Sequence, residues 1–128
     1  MIYLDSSVAL AQLLGEDRRP PARLWDEPLF SSRLLEYELW NRAHARKLNR
    51  RQQDEVAALV EQVSLVELSP TVLERALQPF PAPVRTLDAL HLATLDFLNR
   101  NGRPVRLASY DERMNAAASR MKFKLYAG

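Results

Sequence analysis

The sequence predicts an α/β fold of three layers, with helices covering both faces of a central, mainly parallel sheet. Three observations predict it. Short apolar runs of strand length alternate with stretches of helical period. Helices separate nearly all of the strands, as parallel crossovers require. The 128 residues suit one compact domain, 1–128, without internal repeats or low-complexity tracts.

The elements follow in order. Ile2, Tyr3 and Leu4 read as a short buried strand. Ser6 or Ser7 can cap the helix that follows through Leu14, and Gly15 can end it. Residues 16–21 form a polar turn with proline, then a short helix spans 22–25. Leu29, Phe30 and Ser31 suit a second strand, and Ser32 caps a long helix to Lys47. Asn49 starts another, in which Val56, Leu59, Val60 and Val63 recur at helical spacing. Residues 64–68 alternate as a strand. Pro70 or Thr71 opens a helix to about Leu77, and Pro79, Pro81 and Pro83 make 78–84 a loop. Thr86 is the expected N-cap of a helix over 87–99, with Gly102 past its end. A strand over 105–108, a helix over 112–120 and a last strand over 123–125 complete the chain.

Composition narrows the function. The 47% hydrophobic and 27% charged content is ordinary for a soluble globular protein. The chain has no cysteine, which excludes disulfides, zinc–thiolate sites and thiol nucleophiles and fits a reducing cytoplasm. The first apolar stretch, 8–14, is short and contains Gln12, so it is neither a signal peptide nor a membrane span. Net charge is only +2, yet 15 of the 18 basic residues are arginine. They give a pI of about 9.2. Arginine suits phosphate because its planar fork binds bidentately. Arg42, Arg46 and Arg51 are candidate phosphate contacts, against the plainer reading of a solvated surface.

Acids stand where elements begin or end. Asp5 closes the first strand, Asp111 follows the strand over 105–108, and Asp88 lies in the first turn of its helix. Ligands of open α/β sheets bind beyond the carboxyl ends of strands. Glu38 sits mid-helix, with a side chain long enough to reach in from the side. Glu36 points about 200° away from it, so only one of the two can face a site. Gathered together, such carboxylates repel and need a cation; hard oxygen donors without cysteine point to magnesium or manganese. Each acid also has a plain structural use, as an N-cap, a first-turn acid or a solvated side chain. Ser6, Ser7, Ser109 and Asn115 are candidate donors that orient carboxylates, or merely caps. Ser7 is better suited to capping. His91 shares the helix face of Asp88, and either orients a ligand or is a satisfied, half-buried residue. His44 should be exposed. The three glycines are isolated, so no phosphate loop exists, and the two histidines offer no nucleophilic triad.

The pattern Leu4-Asp5-Ser6-Ser7, then Ser32 with Glu38 six residues on, then Leu87-Asp88-Ala89-Leu90-His91-Leu92-Ala93, then Ser109-Tyr110-Asp111, resembles the PIN-domain family. It is most similar to VapC-type toxins of bacterial toxin–antitoxin pairs. The likeness spans nearly the whole chain. It implies a PIN-like α/β/α domain and a magnesium- or manganese-dependent endoribonuclease site built from Asp5, Glu38, Asp88 and Asp111. It favours Glu38 over Glu36, and leaves Glu112 and Asn115 as rival fifth groups. It also implies an RNA substrate, a homodimer and a small VapB-like antitoxin that holds the toxin inactive. Tyr37, Leu39 and Trp40 either serve such an interface or pack in the core.

Other readings have their own marks. A receiver-like signalling domain would carry an adjacent acidic pair after the first strand, where Ser6 and Ser7 stand. A non-catalytic module of the same fold would not need all four acids. A DNA nuclease could use the same chemistry, because hydrolysis needs no ribose 2′-hydroxyl; substrate shape must choose.

Overall fold

The computed structural model describes residues 1–15 and 18–127. Glu16 and Asp17, which open the expected turn over 16–21, lie outside the described residues. Four strands form one parallel sheet: β1 (Ile2–Leu4), β2 (Leu29–Ser32), β3 (Val63–Val66) and β4 (Arg106–Ala108), in the order β3-β2-β1-β4. Six α-helices are described: α1 (Ser6–Leu14), α2 (Leu34–Ala45), α3 (Arg50–Gln62), α4 (Pro70–Ala76), α5 (Thr86–Arg100) and α6 (Glu112–Arg120). A 3-10 turn spans Ala22–Asp26. This is the expected three-layer α/β/α arrangement.

The pleat of β1 feeds both cores. Ile2 and Leu4 pack with Val8 and Ala9 of α1, Leu35 and Leu39 of α2, and Val56, Leu59 and Val60 of α3. Tyr3 points the other way, among Leu92, Leu95 and Leu98 of α5 and Met114, Ala117 and Ala118 of α6. All three residues of β1 are fully buried, as a strand covered on both faces must be. Leu39 therefore belongs to the core, Trp40 is half-buried and stacks on exposed His44, and Tyr37 is 66% exposed.

Local chemistry explains most boundaries. Asn49 and Gln52 form a reciprocal capping box at α3. Gly15 and Gly102 take left-handed φ of 64° and 75° just past α1 and α5. Lys47, expected inside α2, instead takes a left-handed φ of 51° beyond its end. Some expectations fail. Val63 starts β3 rather than continuing α3; its β-branched side chain suits the extended backbone it adopts (φ −104°, ψ 131°). Thr86 is the first residue of α5, and Arg85 is the N-cap without a side-chain bond. The strand over 123–125 reduces to one parallel bridge, Leu107 to Leu125. No described helix is long and apolar enough to cross a membrane.

The seven-residue α4 is too short to be stable alone, and an ion pair ties it to α5. Arg75 Nε donates to Asp96 Oδ2 at 2.8 Å, and Arg100 Nε donates to Oδ1 at 3.0 Å. Asp96 is buried, and Phe80 lies under the Arg75 guanidinium. Asp96→Ala strands a half-buried arginine and should cost roughly 3 kcal/mol, read as a lowered midpoint in urea unfolding. Arg100→Ala should cost under about 1 kcal/mol because that arginine is largely exposed.

Candidate functional site

Asp5 follows β1 directly, and its N–H still bonds to Ala108 O at the end of neighbouring β4. That bond brings the loops after the two strands together at the carboxyl edge of the sheet. Asp5 has N-cap backbone geometry yet its side chain makes no capping bond. Instead Oδ2 accepts from Ser7 Oγ at 2.6 Å and from Ser109 Oγ at 2.8 Å. The carboxylate is only 4% exposed, so these hydroxyls replace lost water. Ser7 also accepts from Tyr110 N, and Asn115 Nδ2 donates to Ser109 O. Ser109 thus contacts a carboxylate directly, whereas Asn115 contacts only the Ser109 backbone carbonyl. Ser7, read as a cap, proves to be a direct partner of Asp5.

Asp111 is the N-cap of α6: Oδ1 accepts from Arg113 N and Met114 N. Asp88 stands in the first turn of α5. Burial raises its pKa first, then the charges of Asp111 and Asp5; His91 pulls it back, and Glu38 adds a smaller push upward. The three aspartates line one cleft of about 410 Å³, with Ser6, Ser7, Leu10, Ala11, Arg18, Arg42 and Tyr110.

Glu38 is near these acids but is not a lining residue of the cleft. Its Oε1 lies 2.6 Å from His91 Nε2, and Oε2 accepts from Ser6 Oγ at 3.4 Å. His91 Nδ1 in turn lies 2.7 Å from the Tyr3 hydroxyl. His91 is 1% exposed, so it is a satisfied core residue rather than a half-buried one. Burial lowers its pKa, but the hydrogen bond to Glu38 and the charges of Glu38, Asp5 and Asp88 outweigh this and leave it raised. Burial likewise pushes the Tyr3 hydroxyl upward, so it remains protonated. Glu36 is drawn off to Arg33 at 3.3 Å.

The arginines divide. Arg42 lines the cleft, and Arg46 lies one turn further along at the end of α2. Arg51 does not line it; on the exposed face of α3 it pairs with Glu55 at 3.6 Å, a spacing of four residues that a helix satisfies locally. Arg18 was missed. It lines the cleft with its guanidinium 4.9 Å from the Tyr110 ring centre, and nothing local in the sequence marks it.

The donor set fits a hard divalent cation: carboxylates and hydroxyls, no sulfur, and an aspartate whose proton affinity is raised by burial and then by neighbouring negative charge. As the side chains stand, no three acidic or imidazole groups among the described residues are close enough to cage an ion. Two acids have other engagements, Asp111 with its helix and Glu38 with His91.

Asp88 links the cleft to stability. Its folded pKa lies above the ordinary carboxylate value, so the folded state binds its proton more tightly than the unfolded chain. The resulting stability is present below the unfolded pKa and is lost as pH rises through the folded one. In chelator at pH near 7, Asp88→Asn should therefore stabilise the protein, by about 0.5 kcal/mol after screening. Near pH 3, below the usual carboxylate pKa, the two proteins should melt together; equal melting at both pH values would refute the upward shift of Asp88.

The comparisons agree with this architecture. The PIN domain model matches residues 2–119. No curated protein matches the sequence. The structure is similar to the VapC20 toxin of Mycobacterium tuberculosis, which cleaves the sarcin–ricin loop. That likeness has a TM-score of 0.66 and 20% identity, covering 91% of this chain and 95% of that one. It is also similar to a chain of a toxin–antitoxin complex from Klebsiella pneumoniae, with a TM-score of 0.61 and 15% identity over 91% of each chain. With the family model spanning both cores and every acid of the cleft, the chain belongs to the PIN domain family.

Proposed function

We propose that this protein is a metal-dependent endoribonuclease, the toxin half of a VapBC-type pair. The observation that carries the proposal is the shared cleft: Asp5, Asp88 and Asp111 face the same solvent-open space as Arg18 and Arg42. Acids alone would repel a phosphodiester, and arginines alone would only bind it. The combination suits hydrolysis of a phosphodiester bond.

Asp5, Asp88 and Asp111 would hold magnesium or manganese, with Glu38 as a fourth carboxylate at the side. Such an ion polarises the phosphoryl group and lowers the pKa of water. Ser7 and Ser109 fix the Asp5 carboxylate through Oδ2, and Asn115 fixes the Ser109 backbone. Ser6 steadies Glu38. Arg18 and Arg42 hold backbone phosphates beside the bond to be cut. The Tyr110 face keeps the long Arg18 side chain at the cleft. The protein acts as a homodimer in the cytoplasm, restrained by a small VapB-like antitoxin. One neighbour is a toxin that cleaves the sarcin–ricin loop, which makes that RNA hairpin the first defined substrate to offer.

Cleavage of total RNA and of that hairpin, with magnesium, manganese or chelator, tests the proposal. Asp5→Asn should reduce the rate by more than about 100-fold, the upper range for loss of an outer partner, and Ser109→Ala by about 10-fold. Equal cleavage by wild type and Asp5→Asn would overturn the assignment. In the Asp5→Asn background, Arg18→Ala and Arg42→Ala should each weaken RNA binding and reduce the logarithmic salt slope by about 1. Arg51→Ala should leave both nearly unchanged.

A further inference from the structure

We infer that Tyr3 and His91 are positioning residues that fix Glu38 beside the acidic cleft. This rests on reading that cleft as a metal site. Three elements supply one hydrogen-bonded row: Tyr3 from β1, His91 from α5 and Glu38 from α2. The Tyr3 hydroxyl lies 2.7 Å from His91 Nδ1, and His91 Nε2 lies 2.6 Å from Glu38 Oε1. Nε2–H donates to the carboxylate, and Nδ1 either accepts from the tyrosyl O–H in the neutral ring or donates to the tyrosyl oxygen in the imidazolium. The His91 ring stands edge-on to the Tyr3 ring, with centres 5.8 Å apart and planes at 83°. Both residues are buried, at 0% and 1% exposure, so the row is shielded from bulk solvent up to the carboxylate.

Filling the core does not explain it. Apolar side chains would fill the same volume without desolvating a phenol and an imidazole. What the two groups achieve together is control of one oxygen. Oε1 is held by His91, and Oε2 is turned toward Ser6, the residue after Asp5. A free glutamate on a helix samples many rotamers; this one is held in a single arrangement next to the other acids. The row therefore lets Glu38 act on the cleft without the entropy cost of ordering it when a cation arrives.

Manganese titration followed by electron paramagnetic resonance, with thermal melts in chelator, tests the inference on the full chain. His91→Gln should weaken manganese binding by about 10-fold, and Tyr3→Phe by about three-fold. In the Glu38→Gln background both changes should have no further effect on manganese, because their action passes through that carboxylate. Variants that melt earlier but bind manganese like wild type would overturn the positioning role and leave the metal site standing. Losses that multiply with Glu38→Gln would also overturn it. If wild type itself binds no manganese, the reading of the cleft fails and the inference with it. Should His91→Gln not fold, Tyr3→Phe alone and combined with Glu38→Gln decides the matter, since it removes a single hydroxyl.

Discussion

A nearly buried carboxylate at the end of an interior strand is the constraint on which the site depends. Asp5 can hold its charge there only because two hydroxyls reach Oδ2, and those hydroxyls come from opposite ends of the sequence. Ser7 is local to it. Ser109 arrives because β4 lies parallel to β1 and in register, Leu4 beside Ala108. The same register carries Asp111 to the cleft. Moving β4 by one residue would turn Ser109 to the other face and leave a buried charge half-satisfied.

Around Asp5 the protein concentrates negative charge and only partly offsets it. Burial first, and then these charges, raise the pKa of Asp88. Asp111 is stabilised by the backbone N–H groups of α6, and Glu38 by His91. Asp5 and Asp88 share the cleft with Asp111, and no ion pair to either is seen among the described residues. Such a residue of charge is costly to an isolated fold, and it is what a hard cation would relieve.

The positive charge lies outside this centre. Arg18 and Arg42 border the cleft, while Arg33, Arg75, Arg100 and Arg106 are engaged with carboxylates elsewhere. A high arginine count therefore says less about a binding surface than the placement of two residues does. Arg75 and Arg100 serve packing of α4 on α5, and Arg106 ties β4 to Glu27.

The sequence by itself determined the alternation of helices and strands, the parallel sheet and the strand ends after which Asp5 and Asp111 stand; that Asp88 lines the same cleft depended on where α5 starts. The alternation, the sheet and the strand ends follow from local period, capping chemistry and the rule that ligands sit past strand ends, all of which are short-range. The expected strand over 123–125 shrank to a single bridge on the outer edge of β4, where Leu107 alone exchanges backbone bonds with Lys124 and Tyr126. Tertiary structure alone decided the partners. Tyr3 meets His91 across 88 positions and His91 meets Glu38 across 53. Arg18 reaches the cleft while Arg51 is held by Glu55 on the far helix. No local pattern encodes these meetings, because they depend on how helices pack across the sheet rather than on how any segment folds.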